Sequence, residues 1–375
     1  MQFCRLNNSY FLVFQCWYLI LLVYSTSVNA STIALNNIGA RAGALAGAFV
    51  SQANDSSAVW YNPAGLIDDY SASLDMSVEL ESRGLLLHQQ NLQFDPLEKT
   101  NIRQMTLSKK FRISKQQTHP LFALGFAILE PYQSRYHIDQ ISNLVTSRPY
   151  GRVVLEHRQY SFAFASTLAR FKWGLSLDHH RSNVKCETNN TCISAGPAGN
   201  GISMAMLTPL FQHNNYLVQL GANWRSPIKL QYAQIPVQGI AKPLIELQPQ
   251  RPQSQSVGLT GRSDNQYFLV FCNLALEHLS WRDYSALNNV AERQQRLSAG
   301  LEFIFSLHHQ LAFMTRVGWS QIQSKNQIIQ NELRSIGIGL GWQHKHFLDV
   351  ALAYSQPLEN TEVWHVSLSY SFQRF

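Results

Sequence analysis

The sequence carries little charge, and after its first thirty residues it has no long apolar run. Asp, Glu, Lys and Arg make up 14% of its 375 residues, whereas soluble domains average about 25%. A transmembrane helix needs about 20 consecutive apolar residues, and the apolar run at residues 10–24 is shorter. The composition therefore argues against both a soluble enzyme and a helical membrane protein.

The signatures of nucleic-acid binding and of cofactor chemistry are also missing. The formal charge is +7, but it is dispersed, without lysine-rich runs or interleaved aromatic residues. There is no phosphate-binding glycine loop, no paired-cysteine zinc spacing and no convincing carboxylate pair. His308–His309 and the His344/His346 pair could bind a metal, or could be exposed residues of hairpin turns. We expect no nucleic-acid partner, no cofactor and no metal.

Residues 1–30 have the features of a secretory signal. Arg5 is their only charge, an apolar core follows, and Val28-Asn29-Ala30 supplies a small-residue cleavage site. We therefore expect the mature chain to begin near Ser31 and to be exported.

Cysteine usage fits an oxidising compartment. Of the five cysteines, Cys186, Cys192 and Cys272 lie beyond the predicted signal. Cys186 and Cys192 flank a polar stretch, which predicts a disulfide at the tip of an extracellular loop. Cys272 lies in an apolar run and is expected to be a buried or lipid-facing thiol.

After residue 70, apolar and polar residues alternate with a period of two, which is the signal of β-strands. About fourteen such segments occur, many of ten or more residues, the length that a tilted strand needs to cross a bilayer. Aromatic residues such as Trp60, Trp224 and Trp342 cluster near predicted strand ends, as interfacial girdles do. Short turns alternate with long polar connections. We therefore predict an all-β, transmembrane antiparallel barrel over residues 70–375.

Residues 31–69 do not alternate and are rich in small residues. Glycines recur every fourth residue among alanines, so a short helix here could lie very close to a neighbouring wall. Asn62-Pro63 predicts a turn that leads into the first strand near Ser71. The segment is predicted to be a hatch that plugs the lumen, and its candidate hatch and solute-path residues are Gly39, Gly43, Gly47, Phe49, Asn62, Pro63 and Ala64.

The small-residue run followed by Asn62-Pro-Ala-Gly-Leu66 resembles the N-terminal hatch of FadL-type outer-membrane transporters. Residues 122–132 are similar to the third strand of that family, and Asn223–Lys229 to one of its strand ends. The resemblance implies passive uptake of hydrophobic molecules, fatty acids first and aromatic hydrocarbons second. It also implies a multi-pass protein of the bacterial outer membrane, surrounded by lipid and lipopolysaccharide. The C-terminal aromatic strand, which ends at Phe375, resembles the signal that the outer-membrane assembly machinery reads.

Pro131 interrupts a predicted wall strand. Proline cannot donate a ladder hydrogen bond, so a strand cannot pass through it regularly. In the FadL-type family the corresponding strand is kinked and opens the wall sideways. We predict such a lateral opening at Leu129, Glu130, Pro131 and Tyr132, with Gly125 easing the bend. The alternative is that Pro131 ends the strand at a loop.

Two other functions stay open. The first is a barrel enzyme that acts on lipids, because His180 and Ser182 lie in a run that resembles the catalytic stretch of an outer-membrane lipid A deacylase. The second is a structural or secretion-associated barrel that shares the hatch motif. Arg41, Arg316 and Arg334 could face the lumen and meet a carboxylate headgroup. Alternatively, they could pair with Glu79 and Asp75.

Overall fold

The structure is a computed structural model, and its backbone is described for most of the mature chain. The described residues are 37–68, 72–83, 101–111, 122–137, 152–186, 198–229, 233–236, 244–247, 250–265, 268–280, 293–308, 311–324, 330–342, 346–356 and 361–371. The predicted signal, Cys192, His309, His344 and Phe375 lie outside these residues.

Helices are short and confined to the start of the described chain. They are α1 (Ala40–Ala44), α2 (Ala58–Tyr61) and a 3-10 helix (Pro63–Ile67). The strands are β1 (Ala72–Arg83), β2 (Asn101–Phe111), β3 (Phe122–His137), β4 (Arg152–Leu168), β5 (Phe171–Cys186), β6 (Ala198–His213), β7 (Tyr216–Arg225), β8 (Ile228–Lys229), β9 (Ala233–Pro236), β10 (Leu244–Leu247), β11 (Gln250–Arg251), β12 (Gln253–Asp264), β13 (Phe268–Ser280), β14 (Arg293–His308), β15 (Leu311–Ser324), β16 (Gln330–Trp342), β17 (His346–Gln356) and β18 (Thr361–Ser371). In the described part of the chain, no helix is long and apolar enough to cross a membrane.

Fourteen of these strands form a closed antiparallel barrel. Strands β1–β7 and β12–β18 follow one another around it, and β1 pairs with both β2 and β18 to close the wall. The remaining strands form two small ribbons, β8 with β11 and β9 with β10. Closure leaves no free sheet edge, which a barrel in lipid requires. The predicted fold and strand number are confirmed.

The two faces of the wall differ as the alternation predicts. Small and polar side chains such as Thr106, Ser161 and Thr260 are buried on the inner face, while Phe162, Leu259 and Ile336 are among the large apolar side chains exposed on the outer face. Such exposed apolar side chains occur on strands all around the barrel. An apolar outer band is the surface that a membrane-spanning barrel presents to lipid.

Residues 37–68, here called the inner segment, lie inside the barrel. Wall glycines on opposite sides touch it: a Cβ built on Gly174 of β5 would lie 2.4 Å from Ala64 N, and one on Gly318 of β15 would lie 2.4 Å from Leu45 C. The predicted helix is shorter than the glycine repeat, because Gly39 and Gly47 have φ of 84° and 82° and flank it instead of joining it. These left-handed values favour glycine.

The two ends of the barrel differ in their connections. At one end the strands are joined by short turns, such as those at Ala169–Arg170 and Asn214–Asn215. At the other end the connections include residues 84–100, 138–151 and 226–252, and we call this the long-connection end.

Two local predictions are wrong. Trp60 does not belong to an interfacial girdle, because it lies buried in the inner segment, whereas Trp342 at the end of β16 is 60% exposed. Cys272 is disulfide-bonded and is therefore not a thiol. Cys186 ends β5, but its side chain is not described and Cys192 lies outside the described residues, so their mutual disulfide stays a prediction.

Candidate functional site in the barrel lumen

A buried carboxylate fixes the inner segment to the wall. Glu302 of β14 has no exposed surface and accepts hydrogen bonds from Arg41 Nε (2.9 Å), Arg41 Nη2 (2.7 Å) and Arg316 Nε (2.7 Å). Gln52 of the inner segment also donates to it, and Arg316 bonds Asp349 at 2.6 Å. Burial alone would lower the pKa of Arg41, but the carboxylates around it, Glu302 first, raise that pKa above its ordinary value.

Wall side chains also satisfy backbone carbonyls of the inner segment. With helices of only five and four residues, it leaves many carbonyls without a helical partner. The wall supplies donors for five of them: Ser335 to Ala44 O (2.9 Å), Arg296 to Ala46 O (2.6 Å), Gln219 to Ser51 O (2.8 Å), Arg225 to Trp60 O (3.0 Å) and Asn223 to Tyr61 O (2.9 Å). Because unpaired buried carbonyls are costly, these bonds position the segment as well as hold it.

The predicted hatch residues all lie in this packed interior. The Phe49 ring is fully buried, meets Tyr61 edge-on at 5.3 Å between ring centroids, and has the Arg41 guanidinium 5.2 Å above it. Asn62 donates to Val50 O (2.8 Å) and to Met206 O of the wall (3.0 Å), while its Oδ1 caps the 3-10 helix at Ala64 N. Ala64 sits against Gly174. Gly43 lies within α1, between the left-handed Gly39 and Gly47.

One side of the lumen is apolar and reaches the wall at β3. Val59 and Leu66 of the inner segment pack in one buried cluster with Ala123, Ala127 and Leu129 of β3. Gly125 lies among them, and a Cβ there would come within 2.5 Å of Val59 Cγ2. The predicted role of Gly125 in easing a bend is wrong: its pairing with β2 and β4 is regular, and it makes room for the inner segment.

The seam between β2 and β3 stops partway along the wall. Their pairing ends at Gln104 opposite Leu129, although β3 continues to His137 and stays paired with β4. Glu130 and Pro131 together oppose the single residue Arg158, which is a β-bulge. Within the described residues, positions 130–137 of β3 therefore have no ladder partner on the β2 side. The alternative in which Pro131 ends the strand is wrong.

The surroundings of this break combine an ion pair and an apolar lining. Glu130 accepts a hydrogen bond from Arg158 Nη2 at 2.9 Å on the outer side, and Leu129 and Pro131 are buried. Tyr132 resumes pairing with β4, opposite His157. The four residues predicted for the opening thus contain and flank the bulge, and the opening itself stays a prediction.

Two arginines on the opposite side of the lumen lack matched anions. Arg296 of β14 bonds Asn37 Oδ1 (2.7 Å) and Ala46 O, and makes no ion pair with any described residue. Arg225 stacks 3.9 Å from the Trp60 ring centroid, and its nearest carboxylate oxygen, on Glu277, is 3.8 Å away. The Nε atoms of both arginines have no hydrogen-bond partner among the described residues, and both side chains line a cavity of about 30 Å³.

The other predicted lumenal residues have mixed outcomes. Arg41 and Arg316 face the lumen, and their partners among the described side chains are Glu302, Asp55 and Asp349. The side chains of Glu79 and Asp75 are not described, so pairing with them stays a prediction. Arg334 is exposed beside Glu332. His180 is buried on β5, two residues from Asp178, and Ser182 follows on the same face, although its side chain is not described. Among the described residues, no group of three His, Cys, Asp or Glu could hold a metal.

Sequence reasoning missed most of the residues that hold the inner segment. Glu302, Arg296 and Arg225 occupy inward positions of strands, where an isolated charge must find a partner inside the barrel. The wall glycines also recur at inward positions. Both the inward charged residues and the inward glycines can be recognised in the sequence once it is known which of the two alternating sets of side chains faces the lumen.

Comparison with known proteins identifies the fold. No family model and no curated protein sequence matches the chain. Among solved structures, it is similar to the CymD monoaromatic hydrocarbon channel (TM-score 0.59, 13% identity, 92% of this chain and 100% of that one). It is also similar to the Ralstonia pickettii toluene transporter TbuX (0.62, 12%, 90% and 99%) and to a Pseudomonas aeruginosa FadL homologue (0.58, 10%, 92% and 100%). The predicted resemblance to the FadL-type family is confirmed at the level of the fold.

Proposed function

We propose that this protein is a FadL-type transporter of the bacterial outer membrane, which takes up hydrophobic molecules passively and releases them sideways through its wall. The observation that carries the proposal is the bulge at Glu130–Pro131, which lies where the described pairing of β3 with β2 ends and adjoins an apolar lumenal cluster. Residues 31–69 are proposed to act as the hatch, behind a signal at 1–30 and within a barrel over 70–375. Lipid, lipopolysaccharide and the assembly machinery are the proposed partners in the membrane.

The lateral route follows from the energetics of the solute. An apolar molecule gains about 25 cal/mol for each Å² that it removes from water. Leaving through the β2–β3 seam takes it from the apolar lumenal cluster directly into the bilayer. A regular ladder would prevent this, and the bulge at Glu130–Pro131, where the described pairing with β2 ends, supports an opening at this point.

The unmatched arginines favour a solute that carries a carboxylate. Arg225 and Arg296 bring two positive charges to one cavity, and Glu277 supplies only one negative charge nearby. A buried charge without a counterion is unfavourable, so an anionic headgroup would be stabilised there. We therefore propose long-chain fatty acids as the first class of solute and neutral hydrocarbons, the class to which the toluene transporter TbuX and the hydrocarbon channel CymD point, as the second.

Closing the bulge tests the lateral route. The double variant Glu130→Thr/Pro131→Val removes the proline and restores a donor to β3, so uptake of a labelled fatty acid into vesicles should slow while the barrel still assembles. The matched control is Pro209→Val, which removes a proline from the bulge between β6 and β7, far from the seam. Uptake at the parental rate by the double variant, with the seam closed in its structure, would refute the lateral route.

A further inference from the structure

The connection between β7 and β12 continues their pairing but turns inward. Arg225 pairs with Ser254 in the wall, and Ile228 pairs with Arg251 beyond it in the same register. Pro227 and Pro252 therefore lie opposite each other between the two ladders. Because neither can donate a backbone hydrogen bond and both fix φ, the hairpin is interrupted on both strands at the same level. The ladder of the wall and the ladder of the connection are therefore separated at the two facing prolines.

Beyond the two prolines, the base of the hairpin is packed inside the lumen. Ile228 is 1% exposed and Arg251 has no exposed surface. Both sit against the inner face of β6: a Cβ built on Gly201 would lie 2.6 Å from Arg251 Nη2 and 2.7 Å from Ile228 Cγ1. The ribbon β8–β11 thus folds across the mouth of the barrel at the long-connection end.

An ion pair clamps the folded hairpin to the wall. Arg251 Nη1 bonds Asp178 Oδ2 of β5 at 2.5 Å, and both side chains are buried. Arg251 also donates to Gln159 Oε1 (3.3 Å) and to Ser226 O (2.9 Å). Asp178 accepts further bonds from Ser176 (3.0 Å) and Ser203 (2.8 Å), so its carboxylate is held in place by the wall.

The clamp stands beside the break in the wall. Gln159 of β4 contacts Arg251, and in the ladder it lies directly opposite Leu129, the last β3 residue that pairs with β2. We propose that the base of this hairpin, residues 226–229 and 250–252, is a hinged gate, locked by Arg251 and Asp178, that must swing out before a solute entering at the long-connection end can reach the proposed lateral opening. This inference rests on the proposed function for its physiological role, but the gate itself is testable without transport.

The first experiment locks the gate. Because the Gly201 and Ile228 side-chain positions are in contact, the pair Gly201→Cys/Ile228→Cys can form a disulfide that ties the hairpin to β6. Oxidised protein should take up a labelled fatty acid at least about tenfold more slowly, the effect of a 1.4 kcal/mol barrier, and reductant should restore the rate. The control Val257→Cys/Leu276→Cys joins opposite residues of the paired wall strands β12 and β13 and should change nothing. Equal uptake by the locked and reduced forms would overturn the gate.

The second experiment releases the clamp and needs no solute. Asp178→Asn keeps the shape of the side chain but removes its charge from Arg251. A cysteine introduced at the buried lumenal Ser161 should then react with a water-soluble maleimide about tenfold faster or more, which corresponds to a 1.4 kcal/mol loss of closed-state stability. The matched control is Asp264→Asn, which breaks an exposed pair with Arg262 (2.7 Å) at the other end of β12.

Folding and function are separated in the readout. Heat-modified electrophoretic mobility identifies variants whose barrel has not formed, and Arg251→Gln provides an independent release of the same clamp. If neither release variant exposes residue 161 in a folded barrel, the clamp is not a lock and the inference fails. Faster labelling without any fatty-acid uptake by the parent would support the gate and contradict the proposed transport.

Discussion

Two arginine clusters contact the inner segment, and they differ in their counterions. Arg41 and Arg316 share the buried carboxylate of Glu302, with Asp349 and Asp55 beside them. Arg225 and Arg296 instead donate mainly to carbonyl and amide oxygens, and among the described carboxylates only that of Glu277 pairs with either of them. The first cluster is neutralised and bridges the hatch to the wall. The second keeps excess positive charge at a cavity.

The difference separates anchoring from binding. In a buried ion network each charge is stabilised by its partners. Removing one partner therefore leaves an unpaired charge in the low-dielectric interior, which is strongly unfavourable. A buried cation without a counterion is energetically unfavourable, and the binding of an anion next to it stabilises it. The same residue type on the same wall therefore predicts opposite responses to substitution.

The largest effect is expected at Glu302. Glu302→Gln leaves Arg41 and Arg316 without their shared carboxylate, and should cost about 3–5 kcal/mol of stability in urea unfolding. Loss of this anchor should also raise ion conductance in planar bilayers as the inner segment loosens. Asp264→Asn, at an exposed pair, should cost no more than about 1 kcal/mol. If Glu302→Gln were as stable in urea as this control and had the same ion conductance, the network would not be an anchor.

The barrel and its inner segment could be predicted from the sequence because both leave local signals. Alternation identifies strands without knowledge of their partners, and a run of glycine and alanine stands out against it. The network around Glu302 could not be predicted in the same way. Arg41 and Glu302 are 261 residues apart, and the pairing with Glu79 or Asp75 was equally compatible with the alternation. Only strand order and register decide which inward charges meet.

The break at Pro131 was predicted because proline chemistry is local, whereas the function of Gly125 was misjudged. A glycine in a strand marks a bend or a close approach equally well. The choice depends on what lies opposite, and here that is Val59 and Leu66 of the inner segment. The pairing of Pro227 with Pro252 could not be predicted for the same reason, since only the strand register sets them opposite each other.

A smaller effect is expected where the inner segment meets the wall glycines. In Gly318→Ala the new methyl group would lie 2.4 Å from Leu45 C and 2.5 Å from Ala46 N, which are backbone atoms that cannot move aside alone. We expect a loss of about 1–3 kcal/mol from overpacking. Gly261→Ala is the control, since its nearest neighbour is Cys272 Cβ at 4.0 Å. If both variants unfold at the same urea concentration, the inner segment does not press on this wall.

The smallest effect on stability is expected at Arg296, and this variant tests directly whether the two arginine clusters differ. Arg296→Gln removes an unmatched buried cation while keeping an amide that can still donate to Asn37 or Ala46, so gain and loss offset each other to within about 1 kcal/mol. Binding should respond differently, because the cavity then holds one arginine and one glutamate and no net positive charge. A labelled long-chain carboxylate should bind about tenfold more weakly, equivalent to 1.4 kcal/mol. The alcohol of the same chain length, which the charge does not attract, should bind as it does to the parent. A loss of stability as large as that at Glu302, with unchanged carboxylate binding, would mean that Arg296 is a second anchor and that the two clusters do the same work.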